Sequence, residues 1–390
     1  MCSKDNKITH KVLKISEKVN VEISEFHTDK GISEYHLLIS ITDSTLSFQE
    51  QFTNIRETYS KVRQTVLAPN AIPVFKRYFL SDASNQADLV TAWECDNSYS
   101  ALSVIQQAPL NGSKIALWTW FMCDIAADMN SNGVYAFSHN AYTHLFTGGV
   151  TKNAANSEYQ TRLLLEDYIV QLIENNCKLK NDCIRTWFFV QNIDRNYEGV
   201  VKARKEVFFT QDLTQNTHYI SSTGIEGRVA DSANLVSMDT YAVKGLQPEQ
   251  INFLYAPTHL NPTYEYGVTF ERGTTVTYGD RKHIFISGTA SIDNKGNVVH
   301  EKDIILQTGR MLENVKVLLA EAEASFSDIA QAVIYLRDTA DYKVVKETLE
   351  KANLDFPHII VHAPVCRPEW LIEMECIAIT TASGNKYSVL

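Results

Sequence analysis

Two glutamates, Glu373 and Glu375, stand two positions apart in the apolar run 371–379, LIEMECIAI. Successive side chains of a strand point to opposite faces. Glu373, Glu375, Ile377 and Ile379 therefore share one face, and Ile372, Met374 and Cys376 the other. Carboxyls about 7 Å apart along a strand oppose each other's ionisation, more strongly when desolvated. One of the pair then keeps its proton near neutral pH, as a general acid must. From pattern alone, a solvated edge-strand face is an equally good reading. Two arginines add a second chemistry. Arg185 opens the run 184–192, IRTWFFVQN, and Arg204 lies on the helix after it. A guanidinium is a planar fork that donates bidentately to a carboxylate. Taken singly, each arginine reads as a surface ion-pair residue.

The elements that must hold these residues occur three times. The stretches 103–122, 219–243 and 359–379 are each an apolar run, a turn with Gly or Pro, and a second alternating run, the pattern of two strands joined by a loop. Ahead of each lies a matching block: PVFKRYFLSD at 73–82, IRTWFFVQN at 184–192 and QAVIYLRD at 331–338. Before each block comes an amphipathic helix. Its apolar stripe is Phe48, Phe52, Ile55, Tyr59, Val62 and Val66 in the first copy. In the second it is Leu165, Ile169, Leu172 and Ile173, and in the third Met311, Leu312, Val315, Leu318 and Leu319. Strands are predicted ahead of the helices near 35–41, 143–147 and 283–287, and a shorter helix at Tyr342–Lys351. Each unit reads β-(β)-α-β-α-β-β, an α+β module with helices on one face of its sheet. Divisions are predicted at 1–128, 129–250 and 251–390, each long enough for its own core.

Aligned on the loop prolines, Pro109 and Pro364, the first copy has Trp118 where the third has Glu373, and matching LVSMDTYAV to LIEMECIAI puts Ser237 there in the second. Only one copy carries the acid.

The composition is that of a globular protein, 44% hydrophobic with a formal charge of −10. An acidic chain without a Lys/Arg cluster argues against nucleic acid. No apolar run is long enough to span a bilayer, and the N-terminus lacks a secretory h-region. Seven cysteines, at 2, 95, 123, 177, 183, 366 and 376, show no metal-ligand spacing, and neither do His139 and His144. Reduced thiols, a cytoplasmic location, no disulfide, no metal and no cofactor are expected.

The third copy resembles the YjgF/RidA superfamily, through YGVTFERG (266–273), FISGTASIDNKGNVV (285–299), QTGRMLENVKVLLAEA (307–322), FSDIAQAVIYLRD (326–338) and LIEMECIAI (371–379). The resemblance implies a chorismate-mutase-like fold assembled as a trimeric barrel with ligands between modules. Three copies in one chain then make a pseudo-trimer that is monomeric in solution. Within the superfamily, IRTWFFVQNID (184–194), KARKEVFF (202–209), SSTGIEGR (221–228), ISGTASI (286–292) and VCRPEWLIEME (365–375) resemble the chorismatases, which hydrolyse the enolpyruvyl ether of chorismate and release pyruvate. The pairing of Cys366-Arg367 with Glu373, seven positions beyond the cysteine, is the most specific part.

This resemblance implies Glu373 as catalytic acid, with Arg185, Arg204, Thr223, Gly224, Ser287, Gly288, Cys366 and Glu375 around a small-molecule carboxylate. Arg272 and Arg367 fall in matched motifs as either site or loop-holding residues. Phe188 replaces an Asn of the chorismatase pattern, and Glu226–Arg228 is bulkier than its glycine-rich turn; both changes are expected to reshape the pocket. Two other readings compete. One is RidA-like imine or enamine deamination, disfavoured because Ile359 stands where those enzymes carry Arg. The other is a non-catalytic small-molecule-binding protein. A ribonuclease reading finds no catalytic His pair.

Overall fold

A computed structural model describes residues 7–390 except 98, 131, 353 and 385. The first module runs β1 (Thr9–Ser16), β2 (Val19–Phe26), β3 (Glu34–Ile41), α1 (Phe48–Thr65), β4 (Ile72–Leu80), α2 (Ala83–Asn97), β5 (Ala101–Gln106) and β6 (Ile115–Met122). The second runs β7 (Ala126–Met129), β8 (Tyr135–His139), β9 (Tyr142–Thr151), α3 (Ser157–Glu174), the one-turn α4 (Leu179–Asp182), β10 (Cys183–Val190), α5 (Ile193–Thr210), β11 (Ser221–Glu226) and β12 (Val236–Lys244). The third runs β13 (Ile251–Leu254), β14 (Gly273–Thr277), β15 (Arg281–Ala290), α6 (Ile304–Glu321), β16 (Ile329–Leu336), α7 (Tyr342–Lys351), β17 (His358–His362) and β18 (Ile372–Thr381). β7, which the expected division at residue 128 would cut, pairs with β8 and so belongs to the second sheet.

All three sheets share one topology, with the first as β1-β2-β3-β6-β4-β5 and the others its counterparts. The last two strands of each module are not a hairpin. The strand before them, β4, β10 or β16, lies between and pairs parallel with one and antiparallel with the other. A parallel pair needs a crossover, which α2, α5 and α7 supply. The central strands are buried on both faces, and so read as continuous apolar runs.

The long helices close over one face of each sheet. A Ser47–Glu50 capping box starts α1, and Asn156 and Asp303 cap α3 and α6. The stripes of α1 and α6 pack inward, although Val66 is exposed at the end of α1. On α3 the buried face is Leu164, Leu165, Tyr168 and Leu172, while Ile173 faces outward. One residue of helical phase separates that face from the expected stripe.

The modules close head to tail. β5 lies against β9, β11 against β15 and β16 against β3, a heterologous contact that returns to its start within one chain. One apolar core runs through all three modules, and the first and second modules have further cores of their own. Equivalent positions in β9 and β15 place His144 and His283 in the shared interior, and His36 of β3, which stands where those strands have Phe146 and Phe285, is buried with them. The Trp120 ring is 4.9 Å from His36 and 5.7 Å from His283. Burial pushes the His36 imidazole down to about 3 and that of His144 well below its ordinary range. No helix among the described residues is long and apolar enough to cross a membrane.

Candidate active site

Glu373 sits near the start of β18, flanked by Ala290 of β15 and Tyr335 of β16. It is 5% exposed, so its carboxyl faces a cleft from inside the protein. Burial, with the neighbouring Glu375 second, pushes its pKa up to about 8. The carboxylate two positions away is thus a real but lesser cause.

Backbone register identifies its counterparts. Glu373 opposes Tyr335, as Ala116 opposes Phe79 and Ser237 opposes Phe189. Ala116, rather than the expected Trp118, is therefore the first module's equivalent. Trp118 matches Asp239 and Glu375, which oppose Arg77, Trp187 and Val333. The loop before β6 and the loop before β18 differ in length, so their prolines do not mark equivalent places. The acid still occurs in one copy.

A break in the β15 ladder aims the opposite wall. Register shifts between Ile286 and Thr289, at Ser287 and Gly288. A methyl at position 288 would overlap the Glu373 carboxyl and press to 3.1 Å from Thr223 Cγ2, so glycine alone lets the acid lie flat on the strand. The Gly288 amide donates to Thr223 Oγ1 at 2.9 Å, joining the second and third modules at the cleft floor. Gly224 is tight for a similar reason: a Cβ there would come 2.7 Å from the Tyr197 ring.

The expected site residues form two layers. Glu373, Arg204, Thr223, Gly224, Gly288 and Cys366 line a cleft of about 260 Å³ between the second and third modules. Arg185, Ser287 and Glu375 lie behind it. Arg185 Nη2 donates to Glu375 Oε2 at 2.7 Å and to Thr223 Oγ1, and its Nη1 to Ser287 Oγ at 3.2 Å. Both of its terminal nitrogens are bonded to protein. Arg204 differs. It is 1% exposed and bonds Thr269 Oγ1 through Nε at 3.2 Å, but its Nη2 has no partner. A buried donor left unpaired at a cleft wall is one that an anion can satisfy.

Arg272 and Arg367 also reach the cleft, and both hold loops. Arg272 donates to the Asn261 carbonyl at 3.0 Å, and Arg367 stacks on Tyr266 and Trp370 at 4.8 and 4.7 Å. Burial, then the Glu373 charge, pushes the Cys366 thiol up to about 12. The two departures from the chorismatase pattern lie outside the lining. Phe188 is buried beneath Arg204, its ring 5.8 Å from the guanidinium carbon. Glu226 accepts the amides of Asn192 and Ile193 at 2.8 and 2.6 Å, capping α5, and Arg228 bonds Ser84 of the first module. Neither reshapes the cleft directly.

Tyr197 is a lining residue that sequence reasoning missed. It stands seven positions, about two turns, before Arg204 on α5, so that spacing was its available signal. Tyr266, Phe270 and Trp370 complete an aromatic rim. Six cysteines are unpaired and Cys2 lies outside the described residues. No group of three or more His, Cys, Asp or Glu among the described residues is arranged to hold a metal ion.

Comparison with known proteins agrees with the module seen in the third sheet. Residues 275–380 match the Endoribonuclease L-PSP family. A RutC family protein of Pyrococcus abyssi is 35% identical over 97 residues, 24% of this chain and 76% of that one. The chain belongs to the YjgF/RidA superfamily. The 3-aminoacrylate deaminase RutC of Acinetobacter baylyi is 31% identical over 100 residues, covering 24% of this chain and 77% of its own. A crystal structure of chorismatase superposes on 79% of this superfamily member and 93% of its own chain, with a TM-score of 0.60 at 16% identity. That likeness extends the shared fold well beyond the third module. Three YjgF-like modules in one chain form the pseudo-trimer.

Proposed function

We propose that the protein is a chorismatase-like hydrolase that cleaves the enolpyruvyl ether of chorismate or a related cyclic carboxylate. The observation that carries this reading is a buried carboxyl, Glu373, with its pKa near 8, sharing a cleft with the unpaired Nη2 of Arg204. At neutral pH most of that carboxyl is protonated. It delivers its proton to the terminal methylene carbon of the enol ether, and the π electrons form the new C–H bond. The resulting oxocarbenium ion is stabilised by the carboxylate just formed. Water adds to the oxocarbenium carbon and loses a proton to the Glu373 carboxylate, and the hemiketal collapses to pyruvate and the ring alcohol. Arg204 holds a substrate carboxylate. Arg185 serves by fixing Glu375 rather than by meeting substrate, which revises the expected pair of substrate arginines to one plus the loop-held Arg272 and Arg367.

The family relationship keeps RidA-like deamination as the second reading. Register makes Thr223 the second module's counterpart of Ile359, and Thr223 is the residue that faces Glu373 across the cleft. Neither is the arginine of the deaminase pattern. Among the described residues no histidine lines the cleft, which disfavours a ribonuclease.

Incubation with chorismate and an assay for pyruvate tests the proposal. Glu373→Gln keeps the shape and removes the proton, so turnover is expected to fall about 10²–10⁴-fold with ligand affinity nearly intact. Full turnover in that variant means the acid is elsewhere. Ammonia release from an enamine, without pyruvate from chorismate, moves the assignment to deamination. Ligand binding without either product leaves a binding protein.

A further inference from the structure

Among the described residues none of the first module lines the cleft, yet one of its side chains reaches Glu375 behind it. Arg77, at the centre of β4, is fully buried. Its Nη2 lies 2.8 Å from Asp239 Oδ2 of β12, and its Nη1 lies 3.5 Å from Glu375 Oε1 of β18. The rings of Phe75, Trp118, Trp187 and Phe189 enclose the guanidinium at 4.9–5.4 Å. Nε and Nη1 make no hydrogen bond, so ion attraction and ring faces are what compensate this buried cation. Glu375 is held from three directions: by Arg77, by Arg185 Nη2 at 2.7 Å and by Trp187 Nε1 at 3.0 Å. Asp239 also accepts the Gly149 amide at 2.6 Å.

We propose that Arg77 is a positioning residue for the cleft acid: by fixing and neutralising the carboxylate of Glu375, it sets the pH at which Glu373 releases its proton. The proposal rests on Glu373 being the proton-bearing group of the cleft. Arg77, Arg185, Asp239 and Glu375 form a quartet, two cations with two anions, whose charges cancel. Glu373 is the fifth ionisable group, two positions from Glu375 on the same strand face. Without the Arg77 charge the quartet becomes anionic, and ionising Glu373 is opposed more strongly. Without the Asp239 charge it becomes cationic, and ionisation is eased.

The other groups facing Glu373 stay constant in both changes. They are Arg185 from β10, Arg272 before β14, Tyr335 on β16, Tyr197 on α5 and Cys366 in the loop before β18. Arg204, Glu198 and Arg367 line the same cleft and are also untouched.

Infrared titration of the full chain reads the effect without substrate. The C=O stretch of protonated Glu373 is the band absent from Glu373→Gln, and its loss with rising pH gives a midpoint. Arg77→Met should raise that midpoint, and Asp239→Asn, which keeps its shape, should lower it. The double variant Arg77→Met/Asp239→Asn should return near wild type, and Arg77→Lys should stay near it. A purely packing role predicts no opposite shifts. Unmoved midpoints in both single variants overturn the proposal, as does the absence of any Glu373 carboxyl band in wild type. Should Arg77→Met fail to fold by circular dichroism, Asp239→Asn decides alone: a lowered midpoint supports and an unmoved one refutes. Shifted midpoints in a protein that releases no pyruvate would sink the chorismatase reading and leave this one standing.

Discussion

Glu373 weakens the folded protein in the pH range where it is expected to work. Its carboxyl has a folded pKa near 8 against an ordinary 4.5. A raised folded value means that its contribution to stability is fully present below pH 4.5 and is lost as pH rises through 8. Glu373→Gln cannot ionise. Its stability advantage over wild type should grow by about 1.4 kcal/mol per pH unit across that window and then level off. Urea denaturation of both proteins across the window checks this, and a constant difference would show that Glu373 titrates normally in the fold. The residue types and the face of this site were legible in the sequence, since period-two spacing puts Glu373 and Glu375 on one side. Their different fates were not. Glu375 faces Arg185 and Arg77, and Glu373 lies over a glycine at a strand irregularity; neither Arg77 nor that irregularity is near them in the chain.

At the scale of elements, apolar periodicity located the strands and helices, and missed what depends on hydrogen-bond register. Trp118 looked equivalent to Glu373 because loop prolines were used as the ruler, whereas backbone pairing selects Ala116. Helix α5 shows why register matters for the site, because it carries both Tyr197 and Arg204. Asn192 precedes it in a left-handed conformation, φ 51°, and makes no side-chain cap. Glu226 of β11 takes that part by accepting the two amides at the helix start. Glu226→Ala should therefore cost about 1 kcal/mol, the usual worth of an N-terminal cap. Ligand affinity should fall with it as Arg204 loses its footing, while Glu226→Gln should retain most of both. Parallel urea denaturation and calorimetric ligand titration would separate these effects, and unchanged stability in Glu226→Ala would remove the capping role.

At the scale of the molecule, threefold repetition was legible because both sheet faces are covered, which forces the same long apolar strands into each copy. A second signal went unread: a histidine followed by an aliphatic residue stands at register-equivalent places in β9 and β15, at 144 and 283. The division near residue 128 failed to anticipate β7 because a four-residue, mostly exposed strand leaves little apolar signature. Since each module finds its neighbours within the chain, light scattering is expected to give about 44 kDa, the mass of one chain. A stable mass three times larger would mean that the internal ring does not satisfy the interfaces. The two glycine-containing seams show what this closure permits. Gly148, the counterpart of Ser287, is pressed against the Leu102 backbone, 2.6 Å from where its Cβ would be, whereas Gly288 is covered by the side chain of Glu373, which lines the cleft. In a ring of identical subunits every inherited change is copied three times, so a joint cannot be cemented without sealing its twins. A single reading frame lifts that constraint: the joint between the first two modules accumulates changes under the rules of a protein core, and the joint bearing Glu373 under the rules of a ligand's shape.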